Sequence, residues 1–287
     1  MKDYLLILLA TLLLAINFTI TKLYQKKSGT AATAGLYFSA ACGLFTAVIF
    51  FAVNGFRFSF SPFSALMALG MALCVLTYTV IGFRILKEGN MATYTLFLMS
   101  GGMVLPYLYG LIFLNEPFSW LRMAGLAGIL FAIVLMNLGS TRLSKSQLFL
   151  CAAVFIINGF TSIVTKAHQI DTVHGAVDTS GFVVLAGIAQ FLLSSVALLF
   201  ARKKERVALP SVKMLPLVLC SAAVSGVSSL LQLGGAKNLP ATVLYPFITG
   251  GTIIFSTLAG MLCFREKVSL RQWVSILLCF IGTCLFL

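Results

Sequence analysis

Acidic residues are the scarcest feature of this 287-residue chain: only seven positions are Asp or Glu, and charged residues of both signs make up 9% of the total. A soluble domain carries about 25% charged residues. This chain therefore lacks the polar groups to cover a water-facing surface, and belongs in a bilayer. Histidine occurs twice, at His168 and His174. The seven cysteines lie inside apolar stretches with no C-x-x-C pair and no Cys/His ligand spacing, which points away from metal or redox chemistry. No phosphate-binding P-loop is present. These absences argue against an ATP-driven pump and a metalloenzyme, and set the expectation of no catalytic residue, no metal and no cofactor. The net charge of +13 invites a nucleic-acid reading. The basic residues fall between apolar runs rather than in one patch, so lipid headgroups fit them better than nucleic acid does.

What the chain has is apolar length. Hydrophobic residues make up 60% of it, and mean hydropathy is +1.05. Runs of the length a membrane helix needs, about 20 residues, fall at 4–24, 31–53, 63–86, 91–113, 120–138, 147–167, 180–201, 213–235, 241–263 and 271–287. The breaks between them carry turn signals such as "NGFRFSFSP", "NEPFS" and "KNLP". In lipid only helices or a closed barrel satisfy the backbone, and these runs are too continuously apolar for alternating barrel strands. The N-terminal run has a weak basic start and no A-x-A site, so it reads as a retained membrane helix. The expected fold is an all-α polytopic membrane protein with ten transmembrane helices. Fifteen of the 20 Lys and Arg lie in the odd-numbered gaps between runs. That bias predicts a multi-pass protein of the inner (plasma) membrane, with loop 202–213 in the cytoplasm and both termini outside.

The chain also matches itself. At an offset of 150, Gly101, Gly110, Glu116 and Ser119 align with Gly251, Gly260, Glu266 and Ser269. Upstream, "TKLYQ" from Thr21 matches "TKAHQ" from Thr165 at an offset of 144. Two five-helix halves, 1–141 and 142–287, follow. Five is odd, so the second half enters the membrane inverted, the arrangement that serves alternating access around a midplane site. The stretches "LNEPFSW…AGLAGILFAIVLMNLG" and "FREKVSLRQWVSILLCFIGTCLFL" resemble the two repeat ends of EamA-type members of the drug/metabolite transporter superfamily, and "INFTITK" and "INGFTSIVTK" resemble the family's first-helix pattern. The resemblance implies ten helices and a central cavity lined by the third, fourth, eighth and ninth, with the first and sixth contributing.

Glu116 and Glu266 sit where the fifth and tenth helices begin, and an acid there suits the N-terminal partial charge of a helix. Lys22 and Lys166 occupy equivalent places, and either snorkel to headgroups or attract a substrate anion. Polar groups in mid-span tend to face a cavity or a neighbouring helix. The substrate-binding candidates are Asn17, Lys22, Tyr78, Tyr94, Asn158, Lys166, Gln190, Ser228, Gln232 and Tyr245. His168 and His174, with Asp171 and Asp178, read as a solvated loop on the outer face. The expected function is secondary transport of a small polar, amino-acid-like metabolite, with export as one direction. A lipid or lipid-linked sugar flippase of the same fold, and less favourably a membrane-embedded enzyme, are the alternatives. The expected partners are a small solute and the bilayer, and the assembly a monomer or homodimer.

Overall fold

The described residues form ten α-helices in chain order: α1 (Lys2–Ser28), α2 (Ala32–Val53), α3 (Pro62–Lys87), α4 (Met91–Phe113), α5 (Trp120–Met136), α6 (Lys145–Gln169), α7 (Thr179–Arg202), α8 (Leu215–Asn238), α9 (Ala241–Phe264) and α10 (Leu270–Cys284). A computed structural model describes residues 2–28, 32–87, 91–136, 144–202, 212–265 and 269–287. The boundary between the expected halves, Glu266 and most of loop 202–213 lie outside the described residues. No strand occurs among the described residues. Among the described residues, eight helices are long and apolar enough to cross a membrane. α5 is described over 17 residues, and α10, with 15, is shorter than the sequence run suggested.

The turns follow local chemistry. Pro62 opens α3, and Pro240 caps α9. Ser144 with Gln147, and Ser269 with Gln272, form capping boxes at α6 and α10. Leu5, Leu9, Leu12 and Ile16 form one exposed apolar stripe on α1, and Trp273, Leu277, Phe280 and Ile281 another on α10. Such stripes have no place in water and face lipid in a bilayer.

The helix pairings repeat themselves. α1 packs on α8 and α9, while α6 packs on α3 and α4; α2 packs on α7, α4 on α9, and α5 on α10. Replacing each helix by the one five places away returns the same set of pairs. Close approach at the self-related pairs depends on glycine. A Cβ on Gly43 would lie 2.8 Å from the Gly187 carbonyl, and one on Gly187 would lie 2.9 Å from the Gly43 carbonyl, so α2 and α7 touch backbone to backbone. Gly125 and Gly282 do the same for α5 and α10, at 2.8 and 3.0 Å.

Contacts between turns define two faces. The N-terminal face gathers the start of α1 with the α2–α3, α4–α5, α6–α7 and α8–α9 turns, tied by Asn238 to Asp3 (3.1 Å) and Ser180 to Asn54 (2.9 Å). The opposite face holds the ends of α1 and α9.

Candidate functional site

The short α8–α9 turn is where the two rare kinds of charge meet. "KNLP" ends α8 because the residue before a proline is driven to extended backbone, and Leu239 has φ −107° and ψ 148°. Pro240 has no N–H, so the turn leaves α8 with unmet carbonyls and α9 with unmet amides. Two side chains from elsewhere meet them. The Lys166 ammonium of α6 donates to the Ala236 and Leu239 carbonyls, both at 2.7 Å. The Glu116 carboxylate accepts from the Ala241 amide at 2.6 Å and the Thr242 amide at 2.8 Å. Each charge has the sign that the adjoining helix end favours.

This arrangement revises three sequence expectations. Glu116 serves the N-terminus of α9 rather than that of α5; the local start of α5 falls to Ser119, whose hydroxyl accepts from the Arg122 amide at 3.5 Å. Asn115, in left-handed backbone at φ 50°, turns the chain so that Glu116 folds back against Gly110, where a Cβ would strike its carboxylate. Lys166 does not snorkel: it is 4% exposed, held by protein carbonyls. His168 is not in a solvated loop. It lies within α6, 1% exposed, between Ser64 (2.8 Å) and Gln169 (2.9 Å) and stacked on Phe182. In the α6–α7 turn proper, the His174 side chain donates to Asp171 at 2.7 Å. That bond, with the His174 and Ala176 amides, holds the Asp171 carboxyl below the usual carboxylate range.

Lys166 is the last member of a polar stripe on α6. Asn158 donates to the Leu98 carbonyl of α4 at 2.7 Å. Ser162, one turn on, donates to the Gly102 carbonyl at 3.4 Å. Pro106 leaves that carbonyl without its helical partner four residues on, so the serine replaces a missing backbone bond. Tyr245 of α9 donates to the Ser162 carbonyl at 2.6 Å. The structure thus brings Asn158, Lys166 and Tyr245 together along one seam, with Ser162 and Glu116, which sequence reasoning did not nominate. The spacing of 158, 162 and 166 was a readable signal for Ser162.

The other candidates lie elsewhere. Asn17 accepts from Ser221 at 2.6 Å, Ser228 donates to the Ala10 carbonyl at 2.8 Å, and Gln232 donates to Ser228 at 3.0 Å, all on the α1–α8 seam. Gln190 joins α7 to Ser39 of α2 at 3.2 Å, away from both groups. Tyr78 and Tyr94 pack in one cluster with Ile85, Cys151 and Val154, and the Tyr94 ring lies over Gly82. Lys22 is at the opposite face. Its ammonium is 4.6 Å from the centre of the Phe264 ring, joined there by Lys26 at 4.4 Å. Lys22 lines a cleft of about 170 Å³ between α1 and α9, with Phe18, Thr19, Ser256, Gly260 and Phe264.

Ten helices with this pairing, an apolar exterior and polar groups spent on the seams describe a polytopic membrane protein. Residues 145–287 match the EamA-like transporter family. The chain belongs to that family. It is a membrane transporter of the drug/metabolite type, and EamA is a ten-helix fold. A solved crystal structure, described only as that of a protein, is similar with a TM-score of 0.79 at 16% identity, covering 99% of this chain and 96% of that chain. At that identity the likeness is one of fold. No curated protein matches the chain in sequence.

Proposed function

We propose that this EamA-like protein is a secondary transporter that moves a small polar, amino-acid-like metabolite across the plasma membrane by alternating access, in the direction of export. Residues 1–141 and 142–287 act as inverted halves. The opposite face, with loop 202–213, is cytoplasmic, in keeping with the charge bias of the loops. One observation carries this reading: equivalent seams are in different states. The α6–α4 seam is stapled by Asn158 and Ser162, while its counterpart, α1–α9, holds an open cleft. Two copies of one interface, one stapled and one with a cleft at its far end, are what a rocking transporter presents at one end of its cycle.

The solute meets groups that already exchange hydrogen bonds: Asn158, Ser162 and Tyr245 around α6, Asn17 and Ser228 across the α1–α8 seam, and Gln232 bonded to Ser228 within α8. Tyr78, Tyr94, Lys22 and Lys166 border these seams, and Gln190 stays with α2–α7 packing. Each bond between helices is worth about 0.6 kcal/mol on average, weak enough for a solute to replace.

The test compares metabolites released by cells with and without the protein, followed by uptake of each hit into proteoliposomes. Net movement of a polar metabolite supports the reading. Translocation of fluorescent lipid with no solute movement replaces it with the flippase reading.

A further inference from the structure

We propose that Glu116 and Lys166 together form the latch that holds the N-terminal face shut, and that breaking their hold on the α8–α9 turn is the step that opens it. This rests on the transporter reading for its purpose, but not for its geometry.

The turn is short. Its own backbone closes only the Leu239 amide onto the Gly235 carbonyl (2.8 Å) and the Val243 and Leu244 amides onto Pro240 (3.1 and 2.9 Å). The Ala236 and Leu239 carbonyls and the Ala241 and Thr242 amides depend on two charges that belong to other elements. Lys166 comes from α6 and Glu116 from the α4–α5 turn, so the pair ties α4, α6, α8 and α9 at one point. Among the described residues the side-chain hydrogen bonds of both charges go to this turn, and charged groups are rare in this chain. Lys166 is buried, where an unmet charge is expensive, and Glu116 is half-buried. An ordinary α–α turn needs no such pair. Ser144 and Ser269 cap their helices with uncharged side chains of their own segment.

The equivalent positions at the other end are lined by different residues. At the offset of 144, Asn158, Ser162 and Lys166 correspond to Leu14, Phe18 and Lys22. At the offset of 150, Gly110 corresponds to Gly260. The Glu116 carboxylate lies against Gly110, and Gly260, Phe18 and Lys22 line the cleft; Glu266, the counterpart of Glu116, lies outside the described residues. Lys22 lies over the Phe264 ring. The stripe on α6 therefore has the polar groups to close its seam, and the stripe on α1 has an aliphatic and an aromatic residue in their place. Opening the N-terminal face moves the α8–α9 turn off α6. Both charges must then be released together, because each holds one side of the same turn.

The experiment places spin labels at Val173→Cys and Lys237→Cys in a background without the native cysteines; both positions are exposed, and neither holds the turn. Distances are measured in lipid nanodiscs for the full chain, and for Lys166→Met, Glu116→Gln and the double variant. Gln turns an amide donor toward a backbone amide, and Met removes both donations. The expected result is a longer distance that becomes the major population in each single variant, with the double variant no further shifted than the larger single one. Lys166→Arg, which keeps the charge and donors, restores the short distance. If Lys166→Met does not fold, Glu116→Gln decides alone. An unchanged distance in folded variants overturns the latch, as does a double variant whose shift is the sum of the two. Solute uptake by the same proteins is read separately. Distance shifts without any transport leave the latch standing and remove the transporter reading; transport with unshifted distances does the reverse.

Discussion

The α6–α4 and α1–α9 seams join equivalent helices, yet one is stapled by hydrogen bonds and the other, packed at its start, holds a cleft at its far end. On α6 the inward stripe is Asn158, Ser162 and Lys166, and each makes hydrogen bonds to another helix. On α1 the matching residues are Leu14, Phe18 and Lys22, and Phe18 is 43% exposed beside the cleft. The difference teaches that the two halves share a backbone plan but divide its fastenings. Polar residues that lock a seam were placed on one side, and greasy residues that let it slide on the other. In lipid there is no hydrophobic drive to close a seam, so hydrogen bonds and close packing decide which end stays shut.

The comparison can be broken from its shared axis. Gly187→Leu forces α7 off α2, where a Cβ already meets the Ala47 amide at 2.9 Å. Stability in detergent falls by roughly 3 kcal/mol, and both seams loosen alike; a variant that loosened only one would mean that α2–α7 is not common to the two halves. Lys166→Met acts on one side only. It leaves the Ala236 and Leu239 carbonyls unmet and lowers stability by about 2 kcal/mol, measured by denaturant unfolding, while Lys22→Met changes it by less than half that. Tyr245→Phe removes the bond to the Ser162 carbonyl and costs about 0.6 kcal/mol, with a weaker apparent affinity for the transported solute as its second readout. The smallest change runs the other way. Leu14→Asn with Phe18→Ser copies the α6 stripe onto α1; stability stays within about 0.5 kcal/mol, and the opposite face closes, read as loss of thiol reactivity at Ser256→Cys.

Much of the fold was legible because composition leaves few choices. Nearly continuous apolar runs broken by "NEPFS" and "KNLP" give helices and their turns, and the rarity of acids made the Glu116 and Glu266 repeat stand out. The partners of those groups were not legible. Glu116 lies immediately before the fifth helix, so local reasoning assigned it there. It caps α9 because Asn115 reverses the chain and Gly110 leaves room for the carboxylate, facts of tertiary contact. Lys166 resembled a snorkelling residue because sequence places it near a helix end, while the carbonyls it meets belong to a helix 70 residues away in sequence. His168 was assigned to the loop because "HQIDTVHGAVDTSG" is polar throughout, yet α6 runs on to Gln169 and buries the ring against Phe182. Of the polar candidates, those one helical turn apart on a face could be grouped in advance. Gln190, Tyr78 and Tyr94 could not be separated from them without knowing which helix packs on which.

The central claim is that the two seams are alternate states of one interface, and a matched pair of positions tests it most directly. Phe18 and Ser162 are equivalent at the offset of 144. Single cysteines at Phe18→Cys and Ser162→Cys, each in the cysteine-free protein, are challenged with a membrane-impermeant thiol reagent, with and without Lys166→Met. The account predicts that the cysteine at 18 reacts and the one at 162 is protected in the otherwise native chain, and that Lys166→Met reverses the two. Reactivities that rise or fall together, or that ignore Lys166, would contradict it.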